Sequence, residues 1–581
     1  MVTDSLFGRV LRRNVSRRRG IRLGALGVAG TSAWLVACGG GDSDTAEQGP
    51  SGAAGTAAPG TAAAAQPVRG GTISYRIIGT PPLDPHTNTT FRAQTQAGFV
   101  YSRLLKFKTG ADPSVAFNYE IAPDLAASTE IPDDGTQLTF KLQPNATFHD
   151  KPPVSGRAAT SEDVKFSLDR FRNAPKNTNR NAFGFDRNPL VTAVETPDAT
   201  TVVMKLAKPY APILNLFANP QYLWIMPKEI EGGFDPNKEQ IGSGPWMLES
   251  VQPDIVIEMA RNPSWFVQEQ PYADRVRAVV VPETAQEVAQ FQAEALDVAG
   301  IPNENKPEVE SSNPQASWVT YLPTTYTFIS PQQRDGSPFR DQRIRQALSL
   351  AIDREAWGEL IYLGEGVKFL NAVPASMGKW WLDPQSKDAG DGARWFKSDP
   401  AEAKKLLQAA GFEGQQFRFI FANNAYGERF NQGAEATAGM LNQSGFNAQI
   451  VTQDYLREYI SAGQTFFGNY EGTFYGLQTP FTDPHDYLFS MLDSASQRNH
   501  AGIQDPRLEE MLQDEERTLD EAARVKKVQD IQRYVMEQMY YVPVAVGDNY
   551  IATQPWLKNY QYSATYGTGT ENYPTIWLDR K

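Results

Sequence analysis

The chain has 581 residues, 41% of them hydrophobic and 21% charged, with a formal net charge of −12. Single domains seldom grow far beyond about 250 to 300 residues, so this length predicts two to four domains with sizeable cores. Residues 1 to 37 hold seven Arg against one Asp, which leaves −18 on the rest, and so acidic a body repels phosphate backbones: nucleic acid is excluded, and a neutral or cationic small ligand fits better.

At the N-terminus, Arg12, Arg13, Arg17, Arg18, Arg19 and Arg22 precede the 15 uncharged residues Leu23 to Ala37. This is the layout of an export signal over residues 1–37, and the run is short of the roughly 20 residues that a permanent membrane helix, the alternative, needs. Cys38 is the only cysteine, so a disulfide or a cysteine zinc site has no partners to draw on. Leu35-Val36-Ala37-Cys38 resembles a bacterial lipobox, which implies that the Cys38 thiol carries lipid and becomes the new N-terminus. A buried structural cysteine is the alternative, but Gly39-Gly40-Gly41 offers nothing to pack against it. Arg18-Arg19-Gly20-Ile21 resembles a twin-arginine export motif, with Sec export as the other route. Residues 38–68 are mostly Gly, Ala, Ser, Thr and Pro and cannot bury a core. Between a lipid and a folded body they predict a flexible tether of about 30 Å, from roughly 5 to 6 Å times the square root of the residue number.

Strand and helix signals follow in order. Thr72 to Ile78 reads as an opening strand. Asp134-Gly135 marks a hairpin turn before Leu138, Phe140 and Leu142, which alternate with polar residues. Thr160 with Asp163 three residues on predicts a capped helix burying Val164, Leu168 and Phe171, and a second hairpin covers 195–206. Beyond residue 320 the chain reads as α/β alternation. Ile344, Ala347, Leu348, Ala351 and Ile352 form one apolar helical stripe. Asp399, Pro400 and Gly411 punctuate a helix that turns Ala403, Leu406, Leu407 and Ala410 inward. A strand at 417–424, a helix at 435–444 ended by Gly445, and a strand from Phe446 form a βαβ unit with parallel strands. Val525, Val528, Ile531, Val535 and Met539 mark a last helix before a strand in YVPVAV.

Catalytic signatures are lacking. The four histidines, His86, His149, His485 and His500, have no metal-ligand spacing, no G-x-S-x-G elbow occurs, and Gly242-Ser243-Gly244 lacks the lysine of a phosphate loop. No cofactor and no metal are expected. Carboxylates are abundant, so an exported glycosidase-like hydrolase remains the alternative from another class.

Several segments together resemble the extracellular solute-binding proteins of peptide-type ABC importers: LDPH at Leu83, IAPDLAAS at Ile121, LTFKLQPNATFHD with TSEDVKFSLDR, IGSGPWML at Ile241, RNPSWF at Arg261, FRDQRIRQALSLAIDRE at Phe339, AEAKKLLQAAGF at Ala401 and DPHDYL at Asp483. Their order holds from about residue 70 to 550. The resemblance implies an α/β, two-lobed periplasmic-binding-protein fold of type II, large peptide-binding subgroup, with an extra domain inserted in lobe one. Lobe one would comprise 70–110, 220–320 and 545–581, the inserted domain 111–219, and lobe two 321–544. It further implies a monomer, lipid-anchored outside the cytoplasmic membrane, that encloses a peptide or other small solute and passes it to an ABC permease. A sensor or folding helper on the same scaffold is the alternative. Tyr321, Tyr326, Tyr475, Gly476 and Leu477 match ligand-lining positions. Pro480 stands where peptide-binding relatives place an Asp that holds the ligand's ammonium, which favours a sugar, a metal chelate or another solute. His86 and His485 match positions that look structural.

Overall fold

The computed structural model describes residues 66–108, 119–174, 177, 190–461, 463–563 and 569–580. The export signal, Cys38 and all but the last three residues of the tether lie outside them, as do 111–118 and 178–189 of the expected inserted domain.

Three larger sheets organise the described residues. The first has seven strands in the order Ser317–Tyr321, Asn549–Thr553, Val298–Ile301, Thr72–Ile77, Arg275–Val280, Val256–Arg261 and Trp246–Gln252. Its central strand Thr72–Ile77 runs parallel to both neighbours, and the outer pairs are antiparallel. The second has five strands in the order Asn447–Gln453, Gln416–Ala422, Thr473–Leu477, Thr327–Pro331 and Val542–Pro543. Here the βαβ unit is present, with Phe417 opposite Ala448 in a parallel ladder. The third is antiparallel, in the order Ala126–Glu130, Gln137–Leu142, Thr201–Leu206 and Val191–Asp198, and contains both expected hairpins.

Local chemistry explains most of these elements. Leu138 and Phe140 are fully buried on one face of their strand, each worth about 1.5 to 3 kcal/mol. The helix Ser161–Asn173 starts where the Asp163 carboxylate accepts the Thr160 N–H at 2.9 Å. In the helix Pro400–Ala409, Asp399 accepts the Glu402 N–H at 2.9 Å, a cap worth about 1 kcal/mol, and Gly411 ends the turn at φ +67°.

Some expectations are corrected. Leu406 and Ala410 are half-buried, so only Ala403 and Leu407 of that stripe reach the core, and Val525 is likewise half-buried. Beside Val525 the core-facing position belongs to Arg524, which burial of the apolar stripe alone did not indicate. The helix expected at 435–444 begins at Glu428, because Phe430, Gly433 and Ala434 continue its buried face. The core beneath the four-stranded sheet also takes in Leu104, Leu105, Phe107, Ile241, Trp265 and Phe266, all from outside 111–219.

Candidate functional site: the junction between the sheets

The chain passes between the seven- and five-stranded sheets twice. Ser317–Tyr321 belongs to the first and Thr327–Pro331 to the second. On the return, Val542–Pro543 pairs with Thr327–Pro331, and Asn549–Thr553 pairs with Ser317–Tyr321. Two short neighbouring segments, 322–326 and 544–548, therefore carry the backbone connection, which is the covalent layout of a hinge.

Besides this connection, two polar seams hold the bodies together. In one, the Asn303 side chain donates to Glu365 at 3.0 Å, the Tyr550 hydroxyl donates to the same carboxylate at 2.9 Å, and Arg429 reaches Glu304 at 3.3 Å. In the other, residues 208–221 of the four-stranded body meet 480–516. Asn215 donates to the Thr482 carbonyl at 3.0 Å, Thr482 Oγ1 donates to Asn215 Oδ1 at 2.8 Å, Asn219 donates to Thr482 Oγ1 at 3.0 Å, and Ala211 N–H donates to the Glu516 carbonyl at 2.7 Å.

Aromatic side chains fill the meeting place of the three cores. Tyr119 packs against the cores of both the four- and the five-stranded bodies. Tyr321 and Tyr562 pack against the seven-stranded core and stack on each other, while Leu322 packs on the five-stranded side. Stacked rings offer a broad apolar face with a polar rim, a surface suited to a flat or extended solute.

The residues singled out from the sequence divide in two. Tyr321 is half-buried at this junction, and burial, reinforced by Tyr362, pushes its hydroxyl up to about 12. Leu477 and Pro480 are also half-buried, and the Pro480 carbonyl accepts Gln221 Nε2 at 3.0 Å from the opposite body. Beside it Arg498 donates to Thr479 Oγ1 at 2.7 Å and lies 5.7 Å from the Phe481 ring, so Pro480 has a cation for a neighbour. Tyr326 and Tyr475 are buried, at 2% and 0% exposure. The Tyr326 hydroxyl donates to the Ala372 carbonyl at 3.0 Å, and the Tyr475 ring packs on Phe430 at 5.0 Å, so in this arrangement both serve the core. Tyr326 lines an internal cavity of about 10 Å³, which at most holds one water. Gly476 is a close-approach position: a Cβ there would lie 2.5 Å from Phe474 and 3.0 Å from Phe328.

Tyr119, Gln221, Thr482 and Tyr562 were missed by sequence reasoning. Each stands in an irregular stretch with no periodicity, and its partners lie far along the chain. A groove of about 520 Å³ lined by Asp353, Arg394, Lys397 and neighbours sits on the five-stranded body, away from the junction residues. Among the described residues no cluster of three or more His, Cys, Asp or Glu could hold a metal ion, and no helix is long and apolar enough to cross a membrane.

Two α/β bodies joined by paired strands and meeting at an aromatic, hydrogen-bonded junction define a two-lobed binding protein. The chain belongs to the bacterial extracellular solute-binding proteins, family 5, whose family model it matches over residues 120–499. It is 26% identical over 500 residues to the dipeptide-binding protein of Escherichia coli (strain K12), covering 81% of this chain and 88% of that one. It is 25% identical over 524 residues to heme-binding protein A of Haemophilus influenzae, covering 85% and 90%. Its fold is similar to that of the ABC transporter-associated periplasmic binding protein DppA from Helicobacter pylori in complex with peptide STSA, with a TM-score of 0.72, 20% identity, and coverage of 88% and 99%.

Proposed function

We propose that this protein captures a peptide or another small solute between two lobes and delivers it to an ABC permease, tethered by lipid on Cys38 to the outer face of the cytoplasmic membrane. Lobe one would be built on the seven-stranded sheet, with the four-stranded sheet as its inserted domain, and lobe two on the five-stranded sheet. The observation that carries the reading is the double crossing at 322–326 and 544–548 beside an aromatic junction that two polar seams close. Bending at the crossings would expose Tyr119, Tyr321 and Tyr562, and closure on a solute would shift the population towards the shape a permease accepts. The cycle needs no covalent step. The family and the relatives named above are binding proteins.

The solutes named for those relatives, a dipeptide and heme, are chemically unlike, so ligand class must come from this chain's own junction. Pro480 offers an ammonium group no charge, and Arg498 stands beside it, which supports a solute without a free amine at that end. A native-state ligand raises the melting temperature by mass action. Peptides, N-acylated peptides, oligosaccharides and nickel chelates should be screened on the purified protein by thermal shift. A rise for one class with one-to-one stoichiometry and no product bears the reading out; turnover of a candidate would instead identify a hydrolase.

A further inference from the structure

The seam between residues 208–221 and 480–516 contains a buried ionic network that the binding cycle above does not use. His485, in the helix Pro484–Leu492, donates through Nδ1 to Glu515 at 2.7 Å, and its Nε2 lies 3.8 Å from Glu516. Both acids end the helix Pro506–Glu516. Arg524, from the helix Glu521–Gln538, holds the other Glu515 oxygen at 2.7 Å and Asp483 at 2.5 Å. From the four-stranded body, the Tyr210 ring stands edge-on to His485 at 5.6 Å, and Lys208 pairs with Glu516. Asp486 on the histidine's own helix and Asp493 just past its end are the other acids near it.

Leaving out Asp493, which pairs with none of them, these groups balance in one protonation state. Arg524, Lys208 and a charged His485 face Asp483, Glu515 and Glu516. Asp486 is a fourth acid, half-buried, whose shielded Oδ2 has no hydrogen-bond partner among the described residues, a position suited to a neutral carboxyl. Burial and the Asp483 charge push Asp486 up to about 7. Burial opposes charge on His485, but the Glu515 carboxylate, which holds it at 2.7 Å, outweighs it with help from Asp483 and raises the group above its ordinary 6.5 even without charge on Asp486. The other three histidines are all lowered by burial.

We propose that this seam is a proton-dependent latch: with His485 charged and Asp486 neutral, residues 208–221 stay docked on 480–516, and loss of those two protons undocks them and frees the bodies to part. Deprotonation leaves a cluster of carboxylates short of cations in a site with little water, and the carbonyl of Glu516 and the side chains around Thr482 then lose their partners across the seam. The signs agree. Asp486 favours docking fully below 3.8 and gives this up as pH rises towards about 7, and His485 favours it fully below 6.5 and gives it up as pH rises through its raised value.

The Ala211 amide, which donates across the seam, is a direct reporter in the full-length protein. Hydrogen exchange corrected for the intrinsic pH effect should show protection of the 208–221 amides falling at least about tenfold between pH 6 and pH 8.5, with the strand Gln416–Ala422 unchanged. Asp486→Asn, which keeps a neutral group, should reduce that fall. His485→Gln should leave the seam poorly protected at both pH values. Equal protection at pH 6 and 8.5 in the unsubstituted protein, a parallel loss across all three sheets, or an unaltered pH response in Asp486→Asn would each overturn the latch, and the first two need no variant to fold. The measurement involves no solute, so its outcome is separate from that of the ligand screen.

Discussion

Tyr321 and Tyr562, 241 positions apart in the chain, stack with ring centroids 3.8 Å apart and planes 21° from parallel. The pair places an aromatic face next to the segment at which the chain leaves the seven-stranded sheet. Tyr321→Ala should weaken binding of the solute found in the screen by about tenfold or more, equivalent to about 1.4 kcal/mol, while Tyr321→Phe should bind normally. Isothermal titration of both variants checks this, and equal affinity in Tyr321→Ala would remove the pair from the binding surface.

Gly476 offers the opposite expectation. The Phe474 and Phe328 rings leave no space for a Cβ, so Gly476→Ala should destabilise the protein by about 1 to 3 kcal/mol through overpacking. Denaturant titration would show the midpoint falling. A variant of unchanged stability with altered binding would instead return this position to the ligand.

Arg524 lies between Asp483 and Glu515 and over the Trp380 ring at 5.2 Å. Arg524→Met leaves the buried Asp483 without its cation and Glu515 with His485 alone, and should cost about 3 to 5 kcal/mol. Adding Asp483→Asn should recover much of that loss in a denaturation series, because the penalty comes from unpaired charge rather than from lost volume.

Acid should unfold the protein through its neutral histidines. Burial lowers His86 and His500 to about 3 and His149 to about 4. The folded state binds fewer protons there than the unfolded chain, so this stability is fully present above 6.5 and falls, on the order of 1.4 kcal/mol per group for each pH unit, as pH drops towards those values. The His149 Nδ1 accepts the Gly242 N–H at 3.2 Å while Nε2 donates to the Gly244 carbonyl at 3.1 Å, so a second proton on the ring must break a buried hydrogen bond. Urea midpoints between pH 7 and 4 should decline, and less steeply in His149→Gln.

Cys38→Ser should move the protein from the membrane fraction to the soluble exported fraction on centrifugation; retention in the membrane would argue against the lipid tether.

The elements were legible where neighbouring residues decide the outcome. Thr160 with Asp163, and Asp399 with Pro400 and Gly411, each mark a helix end through hydrogen bonds reaching no more than a few residues, and the alternation of Leu138, Phe140 and Leu142 fixes a face. Of the junction's contacts, the sequence singled out only Tyr321 and Pro480, and these through a family resemblance. Tyr562 on Tyr321 and Asn215 on Thr482 are meetings of distant irregular segments, set by how the sheets connect, and no local pattern encodes them. Arg524 fell at a core-facing position of an amphipathic helix whose pattern admits only apolar residues, so its carboxylate partners had to be seen to explain it.

The connectivity of the seven-stranded sheet also orders assembly in time. Asn549–Thr553 lies between Ser317–Tyr321 and Val298–Ile301, and the buried Arg103–Glu571 pair fastens the last described stretch to one of the earliest. The lobe whose synthesis begins first is thus finished last, after the entire five-stranded body has emerged. A nascent chain halted before Asn549 would carry one lobe with all its sheet strands and one with Ser317–Tyr321 unpaired.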